Sequence, residues 1–291
     1  MSTFVTMVMR WYRVHGRHAL PWRRTKDPYH VMVSEIMLQQ TQVDRVIPAY
    51  KAFLKRFPTL QKLAGASIGS VLRVWRGMGY NRRALYLNRA AQVCMRKFDG
   101  KVPSAYEALR ELPGVGEYTA NAILAFAFNK PVVFYDTNIR RIFSRVHFGK
   151  NPSAVSEKKL ARIIARYALP AMRYASVYHG ALMDFGSLLC RARPLCSACP
   201  MQAFCRAAPK VLLGGPKALE GRLARYPQSK FEGSDREIRG KILDVLRGKK
   251  QEAVPMLAMR LREPKKRMER ILRVLLRDGL VLKKGSMVML P

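Results

Sequence analysis

Apolar residues recur at three- and four-residue spacing through most of the first 205 residues, and stretches such as FPTL (57–60) and FDGKVPS (98–104) break the runs. The pattern predicts helix after helix, without the alternation that marks a half-buried strand. After residue 205 the pattern changes. Residues 206–232 are rich in Gly, Pro and basic side chains and read as a basic linker or extended arm. Helical periodicity returns over 236–247, 252–262 and 265–278, and GLVLKKGSMVMLP (279–291) reads as two short strands around Lys284-Gly285. The expectation is an all-α domain over 1–205, a linker over 206–232, and a small winged-helix-like α+β domain over 233–291.

One carboxylate interrupts an apolar run. In VMVSEIMLQQTQV (31–43), helical spacing lets Val31, Leu38 and Val43 share a stripe, with Glu35 close to it. Only ten of the first 205 residues are Asp or Glu, so this placement needs a reason. A carboxylate beside an apolar face loses hydration, which favours its acid form and suits a proton donor. The structural alternative is a helix-surface glutamate paired with an arginine such as Arg45.

Charge narrows the choice of partner. Lys and Arg number 54 against 19 Asp and Glu, a formal net charge of +35 and a pI near 10.8. Such a surface repels itself unless polyanions neutralise it, and nucleic acid does so with release of counterions. The 22 basic and 9 acidic residues of 206–291 contribute +13, so the excess spans both regions. That spread argues against a single membrane-surface helix. No apolar run reaches the ~18 residues of a membrane span, since ANAILAFAF (120–128) stops at Asn129, Lys130 and Pro131. The amphipathic N-terminus does not have the form of an export signal. A cytoplasmic protein is expected, nucleoid-associated in a prokaryotic cell.

Three further motifs carry chemistry. CRARPLCSACPMQAFC (190–205) places Cys190, Cys196, Cys199 and Cys205 within sixteen residues. This compact array fits a 4Fe-4S cluster better than a zinc ribbon, whose two cysteine pairs lie farther apart. Cys94 reads as a small core residue. In LPGVGEYTANAI (112–123), Gly114-Val115-Gly116 turns between two helices, and N–H groups at the second helix start can hold a phosphate, or the motif is a plain tight turn. In VVFYDTNIRRIFSRV (132–146), Asp136 precedes a helix as an N-cap, with Arg140 and Arg141 in its first turn. Functionally, Asp136 is a second carboxylate kept ionised by the helix N-terminus. A neutral acid and a fixed anion are what glycosidic cleavage through an oxocarbenium-like state requires.

LPWRR, DPYHVMVSEIMLQQTQVDRVIPAY, WRGMGYNRRALYL, LPGVGEYTANAI, YDTNIRR and the four-cysteine array resemble the helix-hairpin-helix DNA glycosylases with an iron–sulfur cluster. The adenine DNA glycosylases are the most similar group, and endonuclease III is more distant. The resemblance runs from about residue 10 to 205. It implies two helical subdomains that hold DNA with a flipped base between them, a monomer acting on double-stranded DNA that carries a mismatch or lesion. It further implies Glu35 as catalytic acid, Asp136 as the carboxylate that steadies the sugar cation, and Tyr118 and Asn138 as active-site residues. Gln40 and Tyr80 match residues that wedge into the base stack or contact the opposite base, Gly114, Val115 and Gly116 the phosphate-binding hairpin, and Gln39 and Arg140 are expected DNA contacts.

The departures from the family pattern are informative. Bifunctional relatives carry Lys where this chain has Tyr118, so no amine is present for a Schiff base. Thr137 and Asn81 lean toward endonuclease III. The first cysteine gap is one residue short of the usual six. After residue 206 the winged-helix-like segment stands in place of the family's 8-oxoguanine-recognition domain. The expected function is a monofunctional glycosylase of base excision repair that removes a mismatched base, adenine first. A thymine or uracil mismatch glycosylase is the alternative. A non-enzymatic iron–sulfur DNA-binding regulator stands behind both, because a regulator has no need of the carboxylate pair.

Overall fold

The computed structural model describes residues 3–223 and 230–291. The helices, in chain order, begin with α1 (Thr3–His15), α2 (Pro28–Leu38), α3 (Val43–Arg56), α4 (Leu60–Ala64) and α5 (Ile68–Val74). They continue with α6 (Arg82–Lys97), α7 (Tyr106–Arg110), α8 (Glu117–Phe128), α9 (Thr137–Phe143) and α10 (Glu157–Ala168). The last are α11 (Ala175–Leu188), α12 (Ala208–Gly214), α13 (Asp235–Gly248), α14 (Val254–Leu261) and α15 (Lys265–Arg277). No described helix is long and apolar enough to cross a membrane.

The chain forms two compact units, Met1–Val31 with Gly116–Pro227, and Met32–Val115 with Gln228–Pro291. In the first, Phe4, Val5 and Val8 of α1 pack with Ile139, Ile142 and Phe143 of α9, Leu160 and Ile164 of α10, and Tyr178, Leu182 and Phe185 of α11. Asp184 of α11 is fully buried and accepts from Arg17 Nη2 at 2.7 Å and Arg23 Nη2 at 3.2 Å, so its charge is paired where water cannot reach it.

In the second unit α6 is central. It packs against α4 and α5, and its buried Asn88 donates to the carbonyls of Leu63 (2.7 Å) and Ala66 (3.2 Å). At the C-terminal end, the apolar stripe Met268, Ile271, Leu272 and Leu275 of α15 is buried, as are Ile242 and Leu246 of α13 and Leu257 of α14. A three-stranded antiparallel sheet completes this part, with β3 (Met287–Met289) between β1 (Glu252–Ala253) and β2 (Leu282–Lys284). Val288 pairs with Glu252 on one side and Lys283 on the other.

Two sequence expectations change here. The helix expected over 252–262 starts at Val254, with Pro255 in its first turn, and Glu252–Ala253 form the edge strand instead. A two-residue strand is too short to show alternation. Within 206–232, read as a linker, Ala208–Gly214 is helical. Ala207, Val211 and Leu219 bury together, and Asn151 N–H donates to Glu220 O at 2.8 Å. Those few apolar side chains are enough to fold back a segment whose overall composition is that of a linker.

Candidate active site and cysteine cavity

Helix α2 opens on Asp27, whose carboxylate accepts from Tyr29 N–H at 2.8 Å. Every residue from Val31 to Met37 is buried, so the helix is buried all round rather than along one stripe. Glu35 is buried with them, at 8% exposure. It is not a surface glutamate, and Arg45 instead donates to the Gly77 carbonyl. Val43 does not share the stripe. The helix stops at Leu38, Gln40 takes the left-handed φ of 56°, and α3 starts afresh at Val43.

The sequence reading missed the residue that fixes this turn. Arg83 of α6 is buried and donates through Nη1 to the carbonyls of Ile36 (3.0 Å), Met37 (2.8 Å) and Gln39 (2.6 Å), which end α2. Through Nη2 it donates to Thr41 Oγ1 (2.9 Å) and the carbonyls of Met78 (3.2 Å) and Gly79 (3.3 Å). Burial lowers its pKa to about 10, so it stays charged at neutral pH. Its guanidinium also lies 5.3 Å from the ring centre of Tyr80. Tyr80 has a φ of 45° and its side chain is 42% exposed. Gln40 and Tyr80 thus sit on two strained turns that one arginine holds from beneath. A signal was available, since Arg83, Leu87, Ala90 and Cys94 recur at helical spacing on the buried face of α6.

Gly114 lies in the same unit, with φ of 81°, and a Cβ there would meet the Cβ of Tyr86 at 2.8 Å. Both conditions require glycine. Gln39 Nε2 donates to its carbonyl at 3.3 Å, which brings the end of α2 to the hairpin. Val115 is buried, and Gly116 is the N-cap of α8, with no side chain between solvent and the first N–H groups.

In the other unit, Asp136 caps α9 as expected. Its Oδ1 accepts from the N–H groups of Asn138 and Ile139, both at 2.9 Å, and its Oδ2 accepts from Asn138 Nδ2 at 2.7 Å. Asn138 Oδ1 in turn accepts from Arg141 Nη2 at 2.7 Å. The same guanidinium donates to Gly186 O at 2.7 Å and to Cys190 O at 2.5 Å. Gly186 lets α11 come this close, since a Cβ there would lie 2.6 Å from Asn138 Cβ. A hydrogen-bonded line therefore runs from Asp136 through Asn138 and Arg141 to the first cysteine. The sequence placed Arg141 beside Asp136 but gave it no role. Arg140 is held by Glu157 at 2.6 Å. The Tyr118 ring stands edge-on to Phe134 at 5.4 Å, and Phe134 stacks on His179 at 4.0 Å.

Cys190, Cys196, Cys199 and Cys205 line one cavity, with Arg145 and apolar side chains such as Val146, Phe185 and Leu189. Burial pushes the Cys199 thiol up to about 12 and raises those of Cys196 and Cys205, with neighbouring sulfurs adding to the shift. Arg145 Nη1 lies 3.8 Å from Cys190 Sγ and donates to Arg191 O at 2.7 Å. Among the described residues no three His, Cys, Asp or Glu side chains are placed to hold a single metal ion. Cys94 is buried in the other unit.

The family model described as HhH-GPD superfamily base excision DNA repair protein matches residues 33–166. The chain is 40% identical over 249 residues to the adenine DNA glycosylase of Mycolicibacterium smegmatis, covering 85% of this chain and 81% of that protein. The chain belongs to the adenine DNA glycosylases of the HhH-GPD superfamily. Among solved structures, a thermostable thymine-DNA glycosylase aligns with TM-score 0.65 and 28% identity over 71% of this chain and 95% of that one. A non-covalent endonuclease III–DNA complex has the same fold, with TM-score 0.62 and 22% identity over 72% and 95% of the two chains. The HhH-GPD match takes in Glu35, Tyr80, Arg83, the hairpin, Tyr118, Asp136 and Arg141. Cys190, Cys196, Cys199, Cys205 and α13–α15 lie beyond it.

Proposed function

We propose that the chain is a monofunctional adenine DNA glycosylase. One observation carries the reading: its two candidate carboxylates have opposite surroundings, Glu35 inside an apolar helix and Asp136 under three hydrogen-bond donors. Glu35 gives its proton to a ring nitrogen of the flipped adenine. The bond between that base and the sugar C1′ breaks, and its electron pair leaves with the base. Asp136 keeps its negative charge and stabilises the sugar cation. Water adds at C1′ and yields its proton to the carboxylate left on Glu35. Tyr118 offers no amine, so the product is an abasic site on an intact strand.

Gln40 and Tyr80 enter the base stack or contact the opposite base, and the Gly114-Val115-Gly116 hairpin binds a phosphate. The four cysteines fit a 4Fe-4S cluster. They share one cavity and lie within one sixteen-residue segment, close enough for four thiolates to hold one cluster. The raised pKa values of Cys196, Cys199 and Cys205 also mean that bound metal, rather than the protein alone, would stabilise those thiolates. When bound, the cluster supplies a crosslink of the 190–205 loop, and Arg141 and Arg145 are the residues that tie this loop to α9.

The test is a panel of duplexes with A, T, U or hypoxanthine opposite G, 8-oxoguanine or C, analysed before and after alkali. Adenine release with scission only after alkali supports the reading. Preferential release of T or U opposite G would move the assignment to a pyrimidine mismatch glycosylase. A nick without alkali, with a borohydride-trapped adduct, would remove the monofunctional assignment.

A further inference from the structure

Residues 235–291 contain 16 Lys and Arg against seven Asp and Glu. Six of the seven carboxylates are engaged in ion pairs. Asp235 holds Arg267 (3.1 Å) and Arg270 (2.9 Å), Glu237 holds Lys241 (2.7 Å), and Glu263 holds Arg267 (3.0 Å). Asp244 pairs with Arg247 and Arg76, Glu252 with Lys249 and Arg260, and Asp278 with Arg82. Glu269 alone has no ion pair among the described residues. Of the ten cations left over, six lie together. Lys265, Lys266, Arg273 and Arg277 are exposed on α15, whose other face is the buried stripe, and Lys283 and Lys284 are exposed on β2 beside the turn at Gly285. None of these six has a carboxylate partner among the described residues. A helix face of this kind, with a basic hairpin after it, repels itself and is neutralised by a polyanion.

Its position says which one. Helix α6 supports the hairpin glycine on Tyr86. The turn that ends α15 lies on the same helix, where a Cβ at Gly279 would sit 3.4 Å from Arg89 and 3.8 Å from Leu85. Arg82 of α6 pairs with Asp278 at 3.9 Å. The joint is secured further along, where Arg247 donates to Leu72 O (2.9 Å) and Asn81 Oδ1 (2.8 Å), and Gly69 N–H donates to Pro291 O (2.6 Å). A helix is about 10 Å across and a 13-residue helix about 20 Å long. The hairpin and the outer face of α15 are therefore within reach of one turn of duplex, about 34 Å.

We propose that the exposed face of α15 and the β2–β3 wing form a second duplex-DNA surface, which grips backbone phosphates flanking the target base. It rests on the reading of the Gly114 hairpin as a phosphate site. The contact is sequence-independent, because its six side chains meet phosphates rather than base edges. Its role is to lengthen the footprint on one side of the lesion and to hold the protein on undamaged duplex while it searches.

The experiment uses the full chain and undamaged duplexes of 15 and 30 base pairs, so that it reads binding without excision. Two variants are compared with wild type, Lys265→Ala/Lys266→Ala/Arg273→Ala/Arg277→Ala and Lys283→Ala/Lys284→Ala, each checked for an unchanged melting temperature. The slope of log K against log[KCl] should become shallower by about 3.6 in the helix variant and by about 1.8 in the wing variant, at roughly 0.9 per phosphate contact. The helix variant should bind the 30-mer at least about tenfold more weakly at 0.15 M KCl and lose most of the wild-type preference for the longer duplex. Slopes and length preference equal to wild type in both variants would overturn the proposal and give this face to a protein or other partner. Altered slopes in a protein that releases no base from any duplex would leave the second surface standing and remove the glycosylase reading instead.

Discussion

The end of α2 and the start of α9 each hold a carboxylate, and they do so in contrary ways. Glu35 lies in the last turn of α2, where its own backbone N–H is already used within the helix and the neighbouring side chains from Val31 to Met37 are buried. Asp136 lies at a helix start, where unsatisfied N–H groups converge and two of them bind it. The first setting surrounds the carboxyl with buried apolar side chains, and the second aims backbone donors at it. Each setting also has its own arginine. Arg83 closes the C-terminal carbonyls of α2, and Arg141 orients Asn138, which donates to Asp136. The lesson is that position along a helix is enough to give two carboxylates different surroundings.

The comparison can be broken at several points. Asp136→Asn keeps a capping side chain, so melting should move little, while single-turnover base release should fall by about 10²–10³ as the negative charge is lost. Asp136→Ala should lose the rate and, in addition, about 1 kcal/mol of stability. A stability loss in Asp136→Asn as large as in Asp136→Ala would mean that charge, not the cap, holds this helix start. Replacing Cys199 by Ser should lower iron content and weaken binding of a mismatch duplex by about tenfold or more, read by iron assay and titration. A protein with one zinc and unchanged binding would rule the cluster out.

Arg83→Lys tests the other region. Lysine keeps the charge but not the fork that reaches six acceptors, and each buried carbonyl left unmet costs about 1–3 kcal/mol. We expect a clear drop in melting temperature and slower base flipping, read by 2-aminopurine fluorescence beside the mismatch. An unchanged flipping rate would show that the Gln40 and Tyr80 turns stand without it. The smallest effect is a pH dependence. Burial lowers His147 and His179 to about 4, from an unfolded value near 6.5. The unfolded chain binds the protons more readily, so the stabilisation is complete above pH 6.5 and declines as pH falls toward 4. Thermal melts from pH 7.5 to 4.5 should show a falling midpoint, and His179→Gln should flatten part of that fall.

The helical periodicity of the chain, the Asp136 cap, the glycine hairpin and the close cysteine spacing were legible in the sequence, because each depends on residues a few positions apart. The extent of α2 was not. Val43 kept the apolar spacing, and only the left-handed turn at Gln40, fixed by Arg83 from a distant helix, shows where the stripe ends. Arg141 was equally hidden, since its acceptors Gly186 and Cys190 are more than forty residues away. The segment after Cys205 read as a linker because composition averages over the few apolar side chains that fold it back. The two-residue strand Glu252–Ala253 carries no pattern of its own and exists only through pairing with β3.

The most direct measurement is base release by Glu35→Gln under single-turnover conditions, with protein in excess over an adenine-mismatch duplex and binding measured on the same preparation. The substitution keeps the shape of the side chain and removes its transferable proton. The account predicts a rate lower by about 10² or more, in line with the usual contribution of general acid catalysis, and duplex affinity within a few fold of wild type. Near-normal release from Glu35→Gln would contradict it, and the proton donor would have to be sought elsewhere.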